Sequence, residues 1–195
     1  MKISKRLRAI SEFIPDNSFI LDIGCDHALL DIYAVKTKKN IKAIASDINE
    51  KPLKSAKENI KKQGLNKKIK TVLKDGLDSY ENGVDTVILS GLGTTTIIDI
   101  LEKGKENLID IKRIIISSNN DYLKLRKSVS NLGFYIKDET IILDKDKYYP
   151  IIVFEKGIKK YKDLEYKYGP MLLKDNSDIF KSYLKQNKKK LINIY

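Results

Sequence analysis

Ser18-Phe19-Ile20-Leu21-Asp22-Ile23-Gly24-Cys25-Asp26-His27 is the stretch on which the fold turns. Its first six residues form a short, nearly continuous apolar run, as a strand buried on both faces requires, and the run halts at a glycine. Upstream, Ile3, Leu7, Ile10 and Phe13/Ile14 recur at helical spacing over residues 3–14, and Pro15-Asp16-Asn17 ends that helix. Downstream, a helix is expected from about Ala28 to Lys36, and the pattern then repeats. Lys42–Asp47 reads as a second strand, followed by an amphipathic helix over 50–63 that stops at Gly64. Ile69–Lys74 and Asp85–Leu89 read as the third and fourth strands, closed by Asp75-Gly76 and Ser90-Gly91-Leu92-Gly93. The hydroxyls of Thr94-Thr95-Thr96 suit capping of the next helix. A fifth strand, Lys112–Ile116, ends at Ser117-Ser118-Asn119-Asn120, and a helix covers roughly 121–131.

The last strands break the alternation. Tyr135–Leu143 and Tyr148–Phe154 are separated only by Asp144-Lys145-Asp146-Lys147, too few residues for a crossover, so they form a hairpin. Five strand–helix units closing on a hairpin predict a Rossmann-like α/β fold with a seven-stranded sheet; a nicotinamide-binding domain continues with another crossover. The composition then shifts. From Lys156 onward eleven lysines face only Asp163, Glu165, Asp175 and Asp178, Gly169-Pro170 interrupts the segment, and Asp175–Ile194 reads as one helix with Ile179, Tyr183 and Leu191 among its apolar positions. The expected division is a domain over 1–156 and a basic helical extension over 157–195.

The chain carries 38 basic and 26 acidic residues, a net charge of +12, which suits a polyanionic partner. All but four of the basic residues are lysine, the exceptions being Arg6, Arg8, Arg113 and Arg126. AT-rich coding accounts for lysine over arginine but not for the excess over Asp and Glu. The single cysteine, Cys25, excludes an intrachain disulfide and a zinc cluster. No apolar run reaches the ~18 residues of a membrane span, and no signal-peptide core follows the basic start Met1–Arg6. The expectation is a soluble, cytoplasmic, metal-free protein, with a monomer as the expected oligomeric state.

In doubly wound sheets ligands bind at the carboxyl ends of the strands. The first ending, Asp22 to His27, is a glycine turn that lets backbone approach a ligand closely. Asp26 occupies the place of the second glycine of a dinucleotide fingerprint, and an acid there repels a pyrophosphate. S-adenosylmethionine has a sulfonium and an α-amino group, both positive, so Asp22 or Asp26 near the amino group is electrostatically sensible. Asp47, closing the second strand, suits a ribose diol. Asp75 suits an adenine amine, with Gly76 beside it and Leu77 lining the ring. Ser90-Gly91-Leu92-Gly93 is small enough to admit a base beside a reactive methyl, or is only a tight turn. Asn119 reads as a turn residue or a contact to a base edge. Tyr149 stacks on a flipped-out base or packs the sheet edge. His27 reads as a structural hydrogen-bonding residue, and Cys25 as a small buried one.

Ile3-Ser4-Lys5-Arg6-Leu7, the Asp22-Ile23-Gly24-Cys25-Asp26-His27-Ala28 element with Leu30, Ser90-Gly91-Leu92-Gly93, the Asn119 turn, the Tyr149 strand and Tyr168-Gly169-Pro170-Met171-Leu172 together resemble the bacterial tRNA (adenine(22)-N1)-methyltransferase family. The resemblance covers nearly the whole chain, and Asp-His-Ala after the glycine is its most specific motif. It implies a class I methyltransferase sheet with a helical C-terminal extension, and methyl transfer from S-adenosylmethionine to an adenine ring nitrogen of tRNA. By position it implies that Gly24, Asp26, Asp47, Asp75 and Gly76 hold cofactor, and that Gly91, Gly93, Asn119 and Tyr149 surround the base. With the strand-end reading, the cofactor site comprises Asp22, Gly24, Cys25, Asp26, His27, Asp47, Asp75, Gly76, Leu77, Ser90 and Gly91. Asn119 and Tyr149 are the catalytic candidates. The chain departs from the family pattern at Cys25 (usually Ser or Thr), Asp31 (usually proline), Thr94 and Ser117-Ser118, and its tail has room for one long helix. Lysines of the first helix and the tail are expected to contact phosphates. Rival readings are a methyltransferase for a small molecule or protein, and a tRNA-binding module without catalysis.

Overall fold

The computed structural model describes residues 3–192, with side chains through Lys188. The strands are β1 (Phe19–Ile23), β2 (Lys42–Asp47), β3 (Ile69–Leu73), β4 (Thr86–Ser90), β5 (Arg113–Ser117), β6 (Phe134–Asp144) and β7 (Lys147–Lys156). They form one sheet in the order β3-β2-β1-β4-β5-β7-β6. The first five are parallel, and β7 runs antiparallel to both β5 and β6. Strand order reverses between β1 and β4, which opens a crevice above their carboxyl ends. Both strands are buried on both faces, which is why each reads as a nearly continuous apolar run, with the buried Asp22 the one acid among them.

The helices are α1 (Lys5–Glu12), α2 (Leu29–Thr37), α3 (Glu50–Lys62), α4 (Thr94–Lys103) and α5 (Tyr122–Asn131). Around α1 to α3, Ile10, Ile14, Ile32, Leu53, Ala56 and Ile60 join Ile20, Ala43 and Val153 of the sheet in one cluster. A second cluster joins Ile97, Leu101, Leu125 and Val129 of α4 and α5 to Leu21, Val87, Ile114 and Phe154. The expected helix over 3–14 is shorter because Ser4 accepts the Leu7 amide at 3.2 Å and so takes the cap. Elsewhere the boundaries move by a residue or two, with Ser90 and Ser117 becoming the last residues of their strands. The hairpin loop contracts to Lys145 and Asp146, both in the left-handed region, while Asp144 and Lys147 pair.

The extension differs from the single helix expected over 175–194. It contains α6 (Asp163–Tyr168), α7 (Pro170–Asp175) and α8 (Asp178–Ile192). Asn176 adopts φ 48° and ends α7, so Asp175 belongs to the preceding helix. The side chain of Leu191 and the expected helix end at Ile194 lie outside the described residues. A buried ion pair fastens the extension. Arg126 of α5 donates through Nε to Glu139 of β6 at 2.7 Å and through Nη1 to the Tyr166 carbonyl at 3.0 Å. The other Glu139 oxygen accepts the Met171 amide at 3.1 Å, at the start of α7. Among the described residues no helix is long and apolar enough to cross a membrane, and no acid, His and Cys cluster could hold a metal.

Candidate active site

The strand ends β1 to β4 enclose a cavity of about 500 Å³, lined among others by Asp22, Gly24, Cys25, Asp26, His27, Asp47, Asp75, Gly76, Ser90 and Gly91. Ten of the eleven sequence-read cofactor residues therefore meet. Leu77 does not reach this wall: it packs in the core, where a Cβ on Gly104 would lie 2.4 Å from the Leu77 Cβ.

The first ending is a strained loop. Gly24, Asp26 and Ala28 have φ of 75°, 50° and 54°, and such departures collect where a scaffold holds a functional shape. The Gly24 and Cys25 amides both donate to the Ser46 carbonyl, at 2.9 and 3.0 Å, and close the turn against β2. The amides of Asp26 and His27 are thus the ones placed to reach a ligand. A Cβ on Gly24 would lie 3.5 Å from a Leu92 methyl, so a side chain there is limited by φ more than by space. His27 Nε2 lies 3.3 Å from Asp26 Oδ1, which fixes the ring at the cavity rim.

Acids dominate the walls. Asp47 Oδ1 accepts the Asn49 amide at 2.9 Å, which leaves Oδ2 for a ligand hydroxyl. Asp22 is 4% exposed, and burial pushes its carboxyl up to about 7. Asp31, which the sequence reading noted only as a departure, is fully buried with both oxygens lacking a hydrogen-bond partner. Burial, and then the charge of Asp22, pushes it well above the usual carboxylate range. Burial and mutual repulsion both disfavour a second charge on these adjoining carboxyls. Burial first, then Asp31, Asp22, Asp47 and Asp26, pushes the Cys25 thiol up, so it stays protonated and non-nucleophilic.

The fourth and fifth endings are stitched together. Asn119 donates through Nδ2 to the Gly91 carbonyl at 2.8 Å and through its amide to the Leu92 carbonyl at 3.2 Å. Thr94, expected to cap α4 through its hydroxyl, instead bonds Ser118 Oγ at 2.7 Å, and Asn120 Oδ1 accepts the Thr94 amide at 3.1 Å. Capping thus comes from the neighbouring loop. Tyr149 sits half-buried on the face of β7 that also carries Ile151 and Val153. Its ring carries the Arg6 guanidinium at 5.0 Å and the Lys147 ammonium at 5.2 Å.

Sequence reading also missed Arg6, Ile48 and Ile100, which line the cavity beside the apolar Leu92 of the Ser90–Gly93 turn. Ile48, at 64% exposure, follows Asp47 directly and would have been legible as an exposed apolar residue at a strand end. A planar heterocycle fits between these apolar side chains, and a ligand bearing positive charge fits the acids. The residues present fit S-adenosylmethionine and oppose a pyrophosphate.

Residues 20–195 match the family described as tRNA (adenine(22)-N(1))-methyltransferase. The chain is 34% identical over 187 residues to the tRNA (adenine(22)-N(1))-methyltransferase of Bacillus subtilis, covering 92% of this chain and 79% of that protein. A Streptococcus pneumoniae protein solved in complex with S-adenosyl-L-methionine superposes with a TM-score of 0.95 at 34% identity, over 99% of this chain and 91% of that one. A Mycoplasma protein, from M. capricolum, solved with S-adenosyl-homocysteine, superposes with a TM-score of 0.88 at 33% identity, over 100% and 87%.

Proposed function

This chain belongs to the tRNA (adenine(22)-N(1))-methyltransferase family, and on that premise we propose how its residues divide the work. It is an S-adenosylmethionine-dependent enzyme that methylates N1 of an adenine in tRNA. The observation that carries the site assignment is the acid-lined cavity at the strand switch, joined by the Asn119–Gly91 bond to the loop after β5.

When bound, the cofactor supplies a methyl group made electrophilic by its sulfonium. Asp47 would take the ribose hydroxyls and Asp75 the adenine amine, while Asp22, backed by the buried Asp31, would face the amino group. Asp26 and His27 offer backbone amides at the rim. The target N1 has a free lone pair, so no residue must first remove a proton. The chain's contribution is then placement. Asn119 is held by Gly91 through its amino group, which leaves Oδ1 to accept from the exocyclic amine next to N1. Polar, uncharged groups at this position suit a ring that becomes cationic on methylation. The base leaves the folded tRNA to reach them, at a cost of a few kcal/mol.

We take residues 1–156 as the catalytic domain and 157–195 as a basic extension toward tRNA. We further propose a cytoplasmic monomer. Methyl transfer from labelled S-adenosylmethionine to unmodified bulk tRNA, followed by nucleoside analysis, tests the function. The expected product is 1-methyladenosine; cofactor binding without a labelled nucleoside would sink the substrate reading.

A further inference from the structure

Four arginines stand among 34 lysines, and their surroundings differ. Arg113 donates to the Phe13 carbonyl at 2.7 Å and pairs with Glu155, and Arg126 holds Glu139. Arg8 is exposed on α1. Arg6 is half-buried, yet among the described residues its guanidinium has no acidic partner within ion-pair distance. The carboxylate beside it, Asp144, accepts from the Arg6 backbone amide at 3.5 Å and so ties α1 to the hairpin. The guanidinium lies over Tyr149 and within 3.6 Å of where a Cβ on Gly91 would stand. Lys147 reaches the same ring from the first residue of β7, also without an acidic partner among the described residues.

The positions of these two cations define a boundary. Arg6 lines the cofactor cavity beside Gly91, and Lys147 lines a separate cleft that contains Asn119, Tyr148 and Tyr183. The Tyr149 ring is the contact that both cations share. Two cations converging on one aromatic ring repel each other, and the ring's quadrupole offsets only part of that cost. An oxyanion placed between them removes it. The product ring becomes positive, so a cation here is misplaced for the base itself and suited to the backbone that carries it.

We propose that Arg6 and Lys147, presented by Tyr149, clamp the RNA phosphates flanking the extruded adenosine and so deliver its base beside the hydrogen-bonded Gly91–Asn119 pair. Arg6 offers a planar fork to a phosphate, whereas Lys147 acts as a point charge. The clamp rests on the reading of tRNA as substrate and adds to it the contact that fixes the target nucleotide.

The test compares wild type, Arg6→Ala, Arg6→Lys, Lys147→Gln and the Arg6→Ala/Lys147→Gln double variant. Unmodified tRNA is titrated across a salt series, S-adenosylmethionine binding is followed by calorimetry, and KM for tRNA is separated from kcat. The salt slope should become shallower by about one for each charge removed and about two in the double variant. KM for tRNA should rise about tenfold in the double variant, and Lys147→Gln, which lies outside the cofactor cavity, should keep cofactor affinity within about twofold of wild type. Arg6→Lys should restore the slope but not the full affinity, because the fork is lost. An unchanged slope in the double variant overturns the clamp. So does an Arg6→Ala protein that binds tRNA normally but cofactor weakly, which would assign the guanidinium to the cofactor's carboxylate. Should Arg6→Ala fail to fold, Lys147→Gln at its exposed position decides alone. A wild type that forms no 1-methyladenosine removes the substrate reading; a wild type that forms it beside unaltered variants removes only the clamp.

Discussion

Asp22 and Asp31 place two carboxyl groups where water scarcely reaches, and this has a consequence for stability. Both folded-state pKa values are raised above the ordinary 3.8, that of Asp22 to about 7. Below pH 3.8 the folded and unfolded chains hold the same protons, so the contribution to stability is fully present. Above it, the folded protein retains protons that the unfolded chain has released, and stability falls as pH rises, for Asp22 through about 7. Asp31→Asn removes one carboxyl and gives Asp22 an amide donor. Its melting temperature should fall less steeply than that of wild type as pH rises across this window; parallel curves would refute the raised, coupled carboxyl pair. A second residue-scale prediction concerns Asn119→Ala. It removes the Gly91 bond and the free amide oxygen, so kcat should drop on the order of 100-fold while calorimetry shows unchanged cofactor affinity. Sequence made the strand-end acids legible because each one terminates an apolar run. Asp31 lies inside a helix, and Arg6 reaches Gly91 only through a fold that brings α1 across the sheet, so neither left a local signal.

Elements were legible wherever periodicity alone decides them. All seven strands and the first five helices lie within a residue or two of their expected places. Their ends depend on which polar group satisfies the last amides, and that can come from afar, as Asn120 capping α4 shows. The tail was read least well: the helix expected from Asp175 begins at Asp178, because Asn176 in the left-handed conformation ends α7, and the short α6 and α7 flanking Gly169 carry too few residues for periodicity to show. What secures it is equally non-local. Arg126 and Glu139 lie 13 residues apart on α5 and β6, are 2% and 7% exposed, and jointly engage α6 and α7. Replacing Arg126 by Ala leaves Glu139 buried and uncompensated, and chemical denaturation should show a loss of about 3–5 kcal/mol. Gly169 joins α6 to α7 at φ 92°, and a Cβ there would lie 2.5 Å from Glu139 Oε2. Gly169→Ala should therefore cost about 2–4 kcal/mol through backbone strain and displacement of the pair. A surface glycine would cost far less, so an urea midpoint near wild type would show that the extension is not held by this contact.

Across the whole molecule, the proposed cofactor and tRNA sites draw on different parts of one body. The cofactor cavity draws on α1, the ends of β1 to β4 and the helices that follow them, whereas the Asn119 cleft is closed on its far side by α8 through Tyr183, Gln186 and Asn187. Tyr183 packs edge-on against Tyr148 of β7, with centroids 5.7 Å apart. On the proposed site assignment the extension forms part of the substrate wall besides adding positive charge, which composition alone conveyed. The net charge of +12 raises the local concentration of any polyanion but cannot choose a nucleotide; the wall shape does that. Tyr183→Ala keeps every charge and removes one ring from that wall. It should raise KM for tRNA about five- to tenfold, leave the salt slope unchanged because no phosphate contact is lost, and leave cofactor affinity unchanged. An unaltered KM would confine α8 to a passive role. A weakened cofactor affinity would mean that the extension and the strand-end cavity are coupled through β7, and that the two binding events cannot be treated as independent.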